Sequence, residues 1–230
     1  MICRHHISVS ISRLAISLLL LIACSSGASA QLSLKYKRDS IPLFNGFCVA
    51  VDLGGLAQKA LSSYGQYEAA LRVNLHNQYF PIVEAGLGVA RHNDDEVTSI
   101  SYKTRAPYFR LGGDVNIMNN KHTGNRVYLG VRYGFTSYKV DISRPQLIDP
   151  VWKYYMDYDV RGERCHQHWG EILFGLEAHI FGPIHLGWSG RYRFRFAHHD
   201  GIIGKSWYVP GYGKQESSAL GYSFYLSVDI

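Results

Sequence analysis

The sequence predicts an all-β chain, an antiparallel up-and-down transmembrane β-barrel of about eight strands. Three observations predict it. Over residues 220–230, the apolar positions Leu220, Tyr222, Phe224, Leu226, Val228 and Ile230 alternate with Gly221, Ser223, Tyr225, Ser227 and Asp229. That period of two marks a strand with one apolar face, which needs a neighbour on each side, and closure into a barrel supplies both. Connections between such segments fall into a short set and a long set, as in a membrane barrel with tight turns on one rim and long loops on the other. Glycines gather on the charged face of the strands, where a narrow interior needs small side chains and a solvated surface does not.

The composition points the same way. The 230 residues fit one large β domain. With 47% hydrophobic and 18% charged residues the chain is not disordered, and 17 Tyr, 10 Phe and 23 Gly suit strands better than helices. Removing residues 1–30 takes away Arg4 and Arg13 and no acid, so the formal charge falls from +6 to +4. That is too mild, without any basic helix or tract, to indicate nucleic acid.

Residues 1–30 read as a signal peptide. Arg4 and Arg13 form the basic region, residues 14–23 an apolar stretch too short to span a bilayer, and Ala28-Ser29-Ala30 a small-residue cleavage site that leaves Gln31 first. A second reading takes Leu21-Ile22-Ala23-Cys24 as a lipobox with Cys24 as a lipidated N-terminus; the site after Ala30 is the better formed. Either way the chain is exported. Residues 31–42 are a periplasmic leader, and residues 43–230 the outer-membrane barrel. Cys48 and Cys165 remain in the mature chain, and two distant cysteines do not establish a disulfide.

The strands follow in order. Phe47, Val49, Val51 and Leu53 share a face opposite Gly46, Cys48, Ala50 and Asp52; residues 54–65 connect, with a helical turn at 56–61. Tyr67, Ala69, Leu71, Val73 and Leu75 oppose Glu68, Ala70, Arg72, Asn74 and His76, and after a turn at 77–81, Val83, Ala85, Leu87 and Val89 oppose Glu84, Gly86, Gly88 and Ala90. Residues 91–106 read as a long polar loop. Phe109, Leu111, Val115 and Ile117 then oppose Arg110, Gly112, Asp114 and Asn116. An Asn- and Gly-rich turn at 119–125 leads to Val127, Leu129, Val131, Tyr133 and Phe135, opposite Tyr128, Gly130, Arg132 and Gly134. Residues 142–165 are the longest connection. Ile172, Phe174, Leu176, Ala178 and Ile180 oppose Glu171, Leu173, Gly175, Glu177 and His179; Gly182-Pro183 turns the chain into Leu186, Trp188, Tyr192, Phe194 and Phe196, opposite Gly187, Ser189, Arg191, Arg193 and Arg195. Residues 197–217 are a last long loop. Pro81, Pro107, Pro145, Pro150, Pro183 and Pro210 all fall at strand starts, turns or loops.

A soluble barrel, apolar inside and polar outside, would show the same alternation. Rows such as Tyr192, Phe194 and Phe196 would overfill so narrow an interior, whereas facing lipid they are required. The interior then holds Glu68, Glu84, Asp114, Glu171 and Glu177 with Arg72, Arg110, Arg132, Arg191, Arg193 and Arg195. Desolvated charges must pair. Counting back across the Gly182-Pro183 turn puts Glu171 near Arg195 and Glu177 near Arg191. The expected role is a structural ion-pair network; a conducting or proton-relay path is the sharper alternative.

The segments YFPIVEAGLG, YFRLGGDVNIM, RVYLGVRYGFTSY, HWGEILFGLEA and YVPGYG resemble an uncharacterised Bacteroidota family of small exported outer-membrane β-barrel-like proteins. The resemblance runs from about Phe47 onward. It implies compartment and fold, and it carries no catalytic residue or cofactor.

Chemistry is sparse. Cys165-His166-Gln167-His168 and His198-His199-Asp200 have metal-ligand residue types, yet nothing in their spacing gives the four tetrahedral ligands zinc needs, and no metal or cofactor is expected. Ser206, His199 and Asp200 could serve a rim hydrolase acting on lipid, but no nucleophile-elbow motif accompanies them. The distinctive exposed stretch is WKYYMDY, with Trp152, Tyr154, Tyr155 and Tyr158, joined by Trp207 and Tyr208 in the last loop. Such aromatics serve either as a binding surface for a protein or glycan or as an interfacial girdle. The expected partners are outer-membrane lipid, the assembly machinery that inserts barrels, and a protein or glycan at the loops.

Overall fold

The computed structural model describes residues 41–93, 100–121, 124–148, 151–201, 204, 206–214 and 216–230. The signal peptide with its two processing sites, and the leader up to residue 40, lie outside them. The elements are β1 (Phe44–Asp52), α1 (Leu53–Leu61), β2 (Tyr64–Leu75), β3 (Tyr79–His92), β4 (Ser101–Asn116), β5 (Arg126–Ile148), β6 (Tyr155–Phe181), β7 (Ile184–His199), a small hairpin β8 (Tyr208–Val209) and β9 (Gly213–Lys214), and β10 (Ser218–Asp229). Among the described residues, eight antiparallel strands close in the order β1-β10-β7-β6-β5-β4-β3-β2. The terminal segment closes the ring: β10 pairs with β7 along its length and with β1 from Cys48↔Asp229 to Asp52↔Tyr225. Phe47 and Ile230 exchange both backbone hydrogen bonds at the seam. Gly46 makes room there, since its φ is +95° and a Cβ would stand 2.5 Å from the Ile230 carbonyl.

Side-chain parity sorts the wall into two faces. Glu84, Arg110, Glu171 and Tyr128 are buried inside, while Leu111 and Val131 stand 61% exposed outside. The interior has two levels. The half toward the short turns is filled by charged groups. The half toward the long connections is an apolar cluster that includes Tyr102, Tyr108, Tyr138, Val140, Trp169 and Tyr212.

The upper strands are longer than the alternation of large apolar residues suggests. The loop expected over 91–106 shrinks, because β3 runs to His92 and β4 starts at Ser101. The connection expected over 142–165 is mostly strand, as β5 continues to Ile148 and β6 begins at Tyr155. The cause is a change of outward chemistry: Ser137, Lys139 and Asp141 are exposed, while Tyr138, Val140 and Ile142 keep the inward parity. Alternation persists, with polar residues on the outside. The helical turn expected at 56–61 extends to the whole of α1, capped by the Asp52 carboxylate, which accepts from Gly54 N and Gly55 N.

Candidate functional site: a sealed interior and its mouth

Six strands bring the interior charges together. Glu84 of β3 receives Arg110 Nη1 of β4 at 2.9 Å, Arg132 Nε of β5 at 3.1 Å and Arg191 Nη1 of β7 at 2.9 Å. Glu68 of β2 takes Arg110 Nη1 at 2.6 Å and the Tyr108 hydroxyl at 2.5 Å. Arg132 grips Asp114 with both terminal nitrogens, at 2.7 and 2.8 Å. Glu171 of β6 accepts Trp169 Nε1 at 2.7 Å; Arg110 Nε lies 3.0 Å away without hydrogen-bond geometry. Arg72 meets Glu177 at 2.7 Å. Each carboxylate thus faces at least one guanidinium, as charges taken out of water require.

Two expected pairings are corrected. Glu171 lies opposite Arg193, not Arg195; the register shift between His179 and Phe181 moves its partner one residue closer to the turn than the pairing Phe181↔Ile184 alone would set. Arg193 Nε is 3.5 Å from Glu171 Oε1. Arg195 sits in register with Trp169, half-buried, and its Nη1 has no hydrogen-bond partner. Glu177 lies opposite Gly187 rather than near Arg191; its partners are Arg72 and Arg126, while Arg191 reaches across to Glu84.

The turn-side end of the network was not anticipated. Arg126 joins Glu177 at 2.8 Å and also pairs with Asp229, and His185 Nε2 stands 3.2 Å from Asp229. All three share inward parity with their strands. Arg126 and His185 fall one residue before the first large apolar position, so the signal was parity extended by one step.

The mouth is closed by the loop after β7. Its residues 206–214 fold inward, and their carbonyls meet donors that the strands supply. Arg110 Nη2 donates to Gly211 O at 2.6 Å, Arg193 Nη1 to Tyr212 O at 2.6 Å, and the Tyr102 hydroxyl to Tyr208 O at 2.7 Å. Gly211 and Gly213 bend the segment at φ of +79° and +104°. This overturns the expectation that Tyr208 is an exposed binding residue, since it is 2% exposed. Burial pushes its phenol up to about 12. Trp207 is half-buried against Tyr64, Tyr102 and His92, with ring centroids 5.6, 5.7 and 5.2 Å away. Trp152 and Tyr154 stand exposed at the tip between β5 and β6, whereas the side chains of Tyr155 and Tyr158 lie outside the described ones.

Among the described residues, the rim groups considered for chemistry make the following contacts. Ser206 is buried and accepts from the Tyr138 hydroxyl at 2.9 Å; Asp200 Oδ2 is 3.4 Å from His198 Nε2, and His199 stacks on His166 at 5.4 Å. His168 Nδ1 shares a hydrogen bond with the Tyr133 hydroxyl at 2.6 Å. Cys48 and Cys165 are both buried and free.

Among solved structures, the chain overlaps Neisserial surface protein A with a TM-score of 0.43 at 12% identity, covering 81% of this chain and 99% of that one. It overlaps Ail, the attachment invasion locus protein of Yersinia pestis, with a TM-score of 0.38 at 10% identity over 80% and 93% of the two chains. A major outer membrane protein from Thermus thermophilus gives 0.40 at 15% identity, over 81% and 100%. All three TM-scores lie below 0.5, too loose an overlap to carry a conclusion about this chain. No curated protein matches the sequence. A family model described as a domain of unknown function, DUF6048, matches residues 11–230, and the chain belongs to that family.

Proposed function

We propose that this protein is a small outer-membrane β-barrel with a sealed lumen, exported by its N-terminal segment, that works by binding rather than by transport or catalysis. One observation carries the reading: the barrel is inverted relative to a soluble one. Within one band of the wall the charged residues are inside, and every strand of the ring puts large apolar side chains outside, among them Val49, Leu71, Val83, Leu111, Val131, Phe174, Phe194 and Phe224. In water such a band would drive aggregation; in a bilayer it is the required surface. On β5 it runs from Val127 to Phe135, about 27 Å of strand and, at a tilt near 40°, about 20 Å of height. Directly above it, β3–β6 expose Arg91, Lys103, Arg105, Lys139 and Arg164, placed to meet phosphate-bearing headgroups.

The loop-side rim is then the outer one, and the β5–β6 hairpin stands above the membrane with Trp152, 75% exposed, at its tip. Exposed aromatics on a rigid hairpin suit recognition of a protein or glycan. The interior residues Glu84, Asp114, Arg110, Arg132, Glu171, Glu177, Arg191 and Arg193 hold the wall together in this reading. Insertion would use the outer-membrane assembly machinery.

The test is fractionation followed by gel mobility with and without boiling. The protein should leave with outer membranes and migrate faster unheated than boiled. Release with the soluble periplasmic fraction would sink the membrane reading.

A further inference from the structure

The barrel wall is incomplete at one seam. The β1–β10 ladder stops at Asp52↔Tyr225, yet β10 continues to Ser218 on its β7 side. Likewise β1 pairs with β2 only as far as Val51↔Ala69, while β2 continues to Tyr64 on its β3 side. Above Asp52, the upper edges of β2 and β10 therefore face each other without a strand between them. The helix α1 occupies that gap, and glycines let it sit close. A Cβ on Gly54 would stand 3.2 Å from Phe224 N, one on Gly55 2.6 Å from Gln66 Cγ, and one on Gly65 2.5 Å from Lys59 Cα.

Helix and hairpin do not fill the seam. A cavity of about 490 Å³ remains between α1, the β8–β9 hairpin and β10. Its lining is of two kinds. Gln66 and Arg193 belong to the charged interior, and Leu220 and Tyr222 to the outer apolar face. Lys214 and Glu216, both exposed, also line it. Arg193 is 8% exposed. Nη1 serves Tyr212 O, and Nε faces Glu171 Oε1 at 3.5 Å without a hydrogen bond, which leaves Nη2 as the nitrogen on the cavity side. Gly221 exposes the guanidinium to the cavity, since a Cβ there would come within 2.7 Å of Arg193 Nη2.

We propose that this seam is a lateral binding site for a single-chain amphiphile with an anionic head. The head, a carboxylate or phosphate monoester, meets the Arg193 guanidinium, and the chain leaves through the wall gap along Leu220 and Tyr222 into the surrounding leaflet. The cavity falls in the size range of small-ligand sites, too small for a whole phospholipid. An arginine suits the head because a guanidinium donates short, charge-assisted hydrogen bonds to such oxyanions, here from Nη2. This inference rests on the membrane reading for its source of ligand, but not for the cavity itself.

Calorimetry on the folded barrel in non-ionic detergent tests the head site with decanoate, decanol serving as the neutral control. Decanoate should bind saturably at one site and decanol at least tenfold more weakly. Arg193→Gln should weaken decanoate at least tenfold and leave decanol unchanged. Gln58→Trp, an exposed α1 position at the cavity lip, should block both without disturbing the ion pairs, so a folding defect in the first variant does not decide the matter. No saturable decanoate binding, equal binding of decanol, or an unaffected Gln58→Trp variant overturns the site. Lateral entry is read separately in liposomes, where spin-labelled stearate should add a saturable quenching of Trp188, whose ring stacks on Tyr222 at 6.0 Å, above the level that bulk lipid gives this outward ring, and excess decanoate should displace it. Decanoate binding without that quenching overturns the lateral route, and failure to enter liposomes at all identifies the membrane reading as the error.

Discussion

At the residue scale, the interior is built from complementary pairs of glycine and bulk. Gly134 leaves space that the Trp169 ring fills, Gly86 makes room for Tyr108, and Gly187 makes room for Tyr225, whose ring also lies 4.9 Å from the Arg72 guanidinium. Gly187→Val should therefore overpack the wall and cost about 1–3 kcal/mol. Gly113→Ala is the contrast, since the nearest atom to its Cβ would be Phe80 O at 3.9 Å. It should be neutral or stabilise by about 0.4–1 kcal/mol, read from urea midpoints in liposomes. Which face each charge takes was legible from parity alone. The partner of each charge was not, because the β6–β7 register shifts by one near the Gly182-Pro183 turn and shifts back between Trp169 and His168, so the pairings from His179 to Trp169 are displaced from those a count from the turn gives. A double-mutant cycle checks the corrected register. Glu171→Gln with Arg193→Gln should show a coupling of about 0.5–3 kcal/mol, and Glu171→Gln with Arg195→Gln should be additive within about 0.5 kcal/mol. Coupling to Arg195 instead would restore the register read from sequence.

At the element scale, two features set what each strand does: where its outer face changes from apolar to polar, and where its partner stops. β6 shows the first. Its outward Ile172, Phe174, Leu176 and Ile180 are exposed apolar residues, and its upper outward positions include Arg164 and Arg161. The lower part was readable as strand because large apolar residues recur every second position. The upper part looked like loop because its outward residues turn polar while the inward Cys165, Gln167 and Trp169 are mixed in kind. The contrast between the two halves predicts their tolerance. Leu176→Arg should impair insertion by roughly 2–4 kcal/mol, as for a cation near the bilayer midplane. Lys121→Ala, at the turn between β4 and β5, should lose only its hydrogen bond to Gln78 and fold normally. Normal accumulation of Leu176→Arg would reverse the assignment of inside and outside. β1 shows the second feature: it ends early, and the chain turns into α1 because the Asp52 carboxylate caps the helix where the ladder to β10 stops.

At the scale of the whole molecule, the question is what closes the lumen. Two layers do. The 206–214 segment covers the mouth, and below it Glu84 ties β3 to arginines of β4, β5 and β7 across the interior. Closure of the ring was legible from strand count and the paired edges of the last segment. The mouth plug was not, because its segment, YVPGYG, carries no period, and its inward fold depends on arginines far away in sequence, Arg110 and Arg193. The two layers can be separated. Replacing residues 207–214 by a flexible glycine-serine linker removes the Tyr208 and Tyr212 rings that anchor the segment, so its main-chain carbonyls are no longer held against those arginines, at a cost of about 1.5–3 kcal/mol for each charged hydrogen bond lost. The variant should still show heat-modifiable mobility, with a lower unfolding temperature, since the eight-strand ladder is untouched. It should pass no current in a planar bilayer, because the arginine–carboxylate cross-links still span the narrow interior, and barrels of this strand number are filled by side chains. Discrete conductance steps in the linker variant would show that the plug alone holds a path shut, and the interior charges would then line a gated pore rather than a structural core.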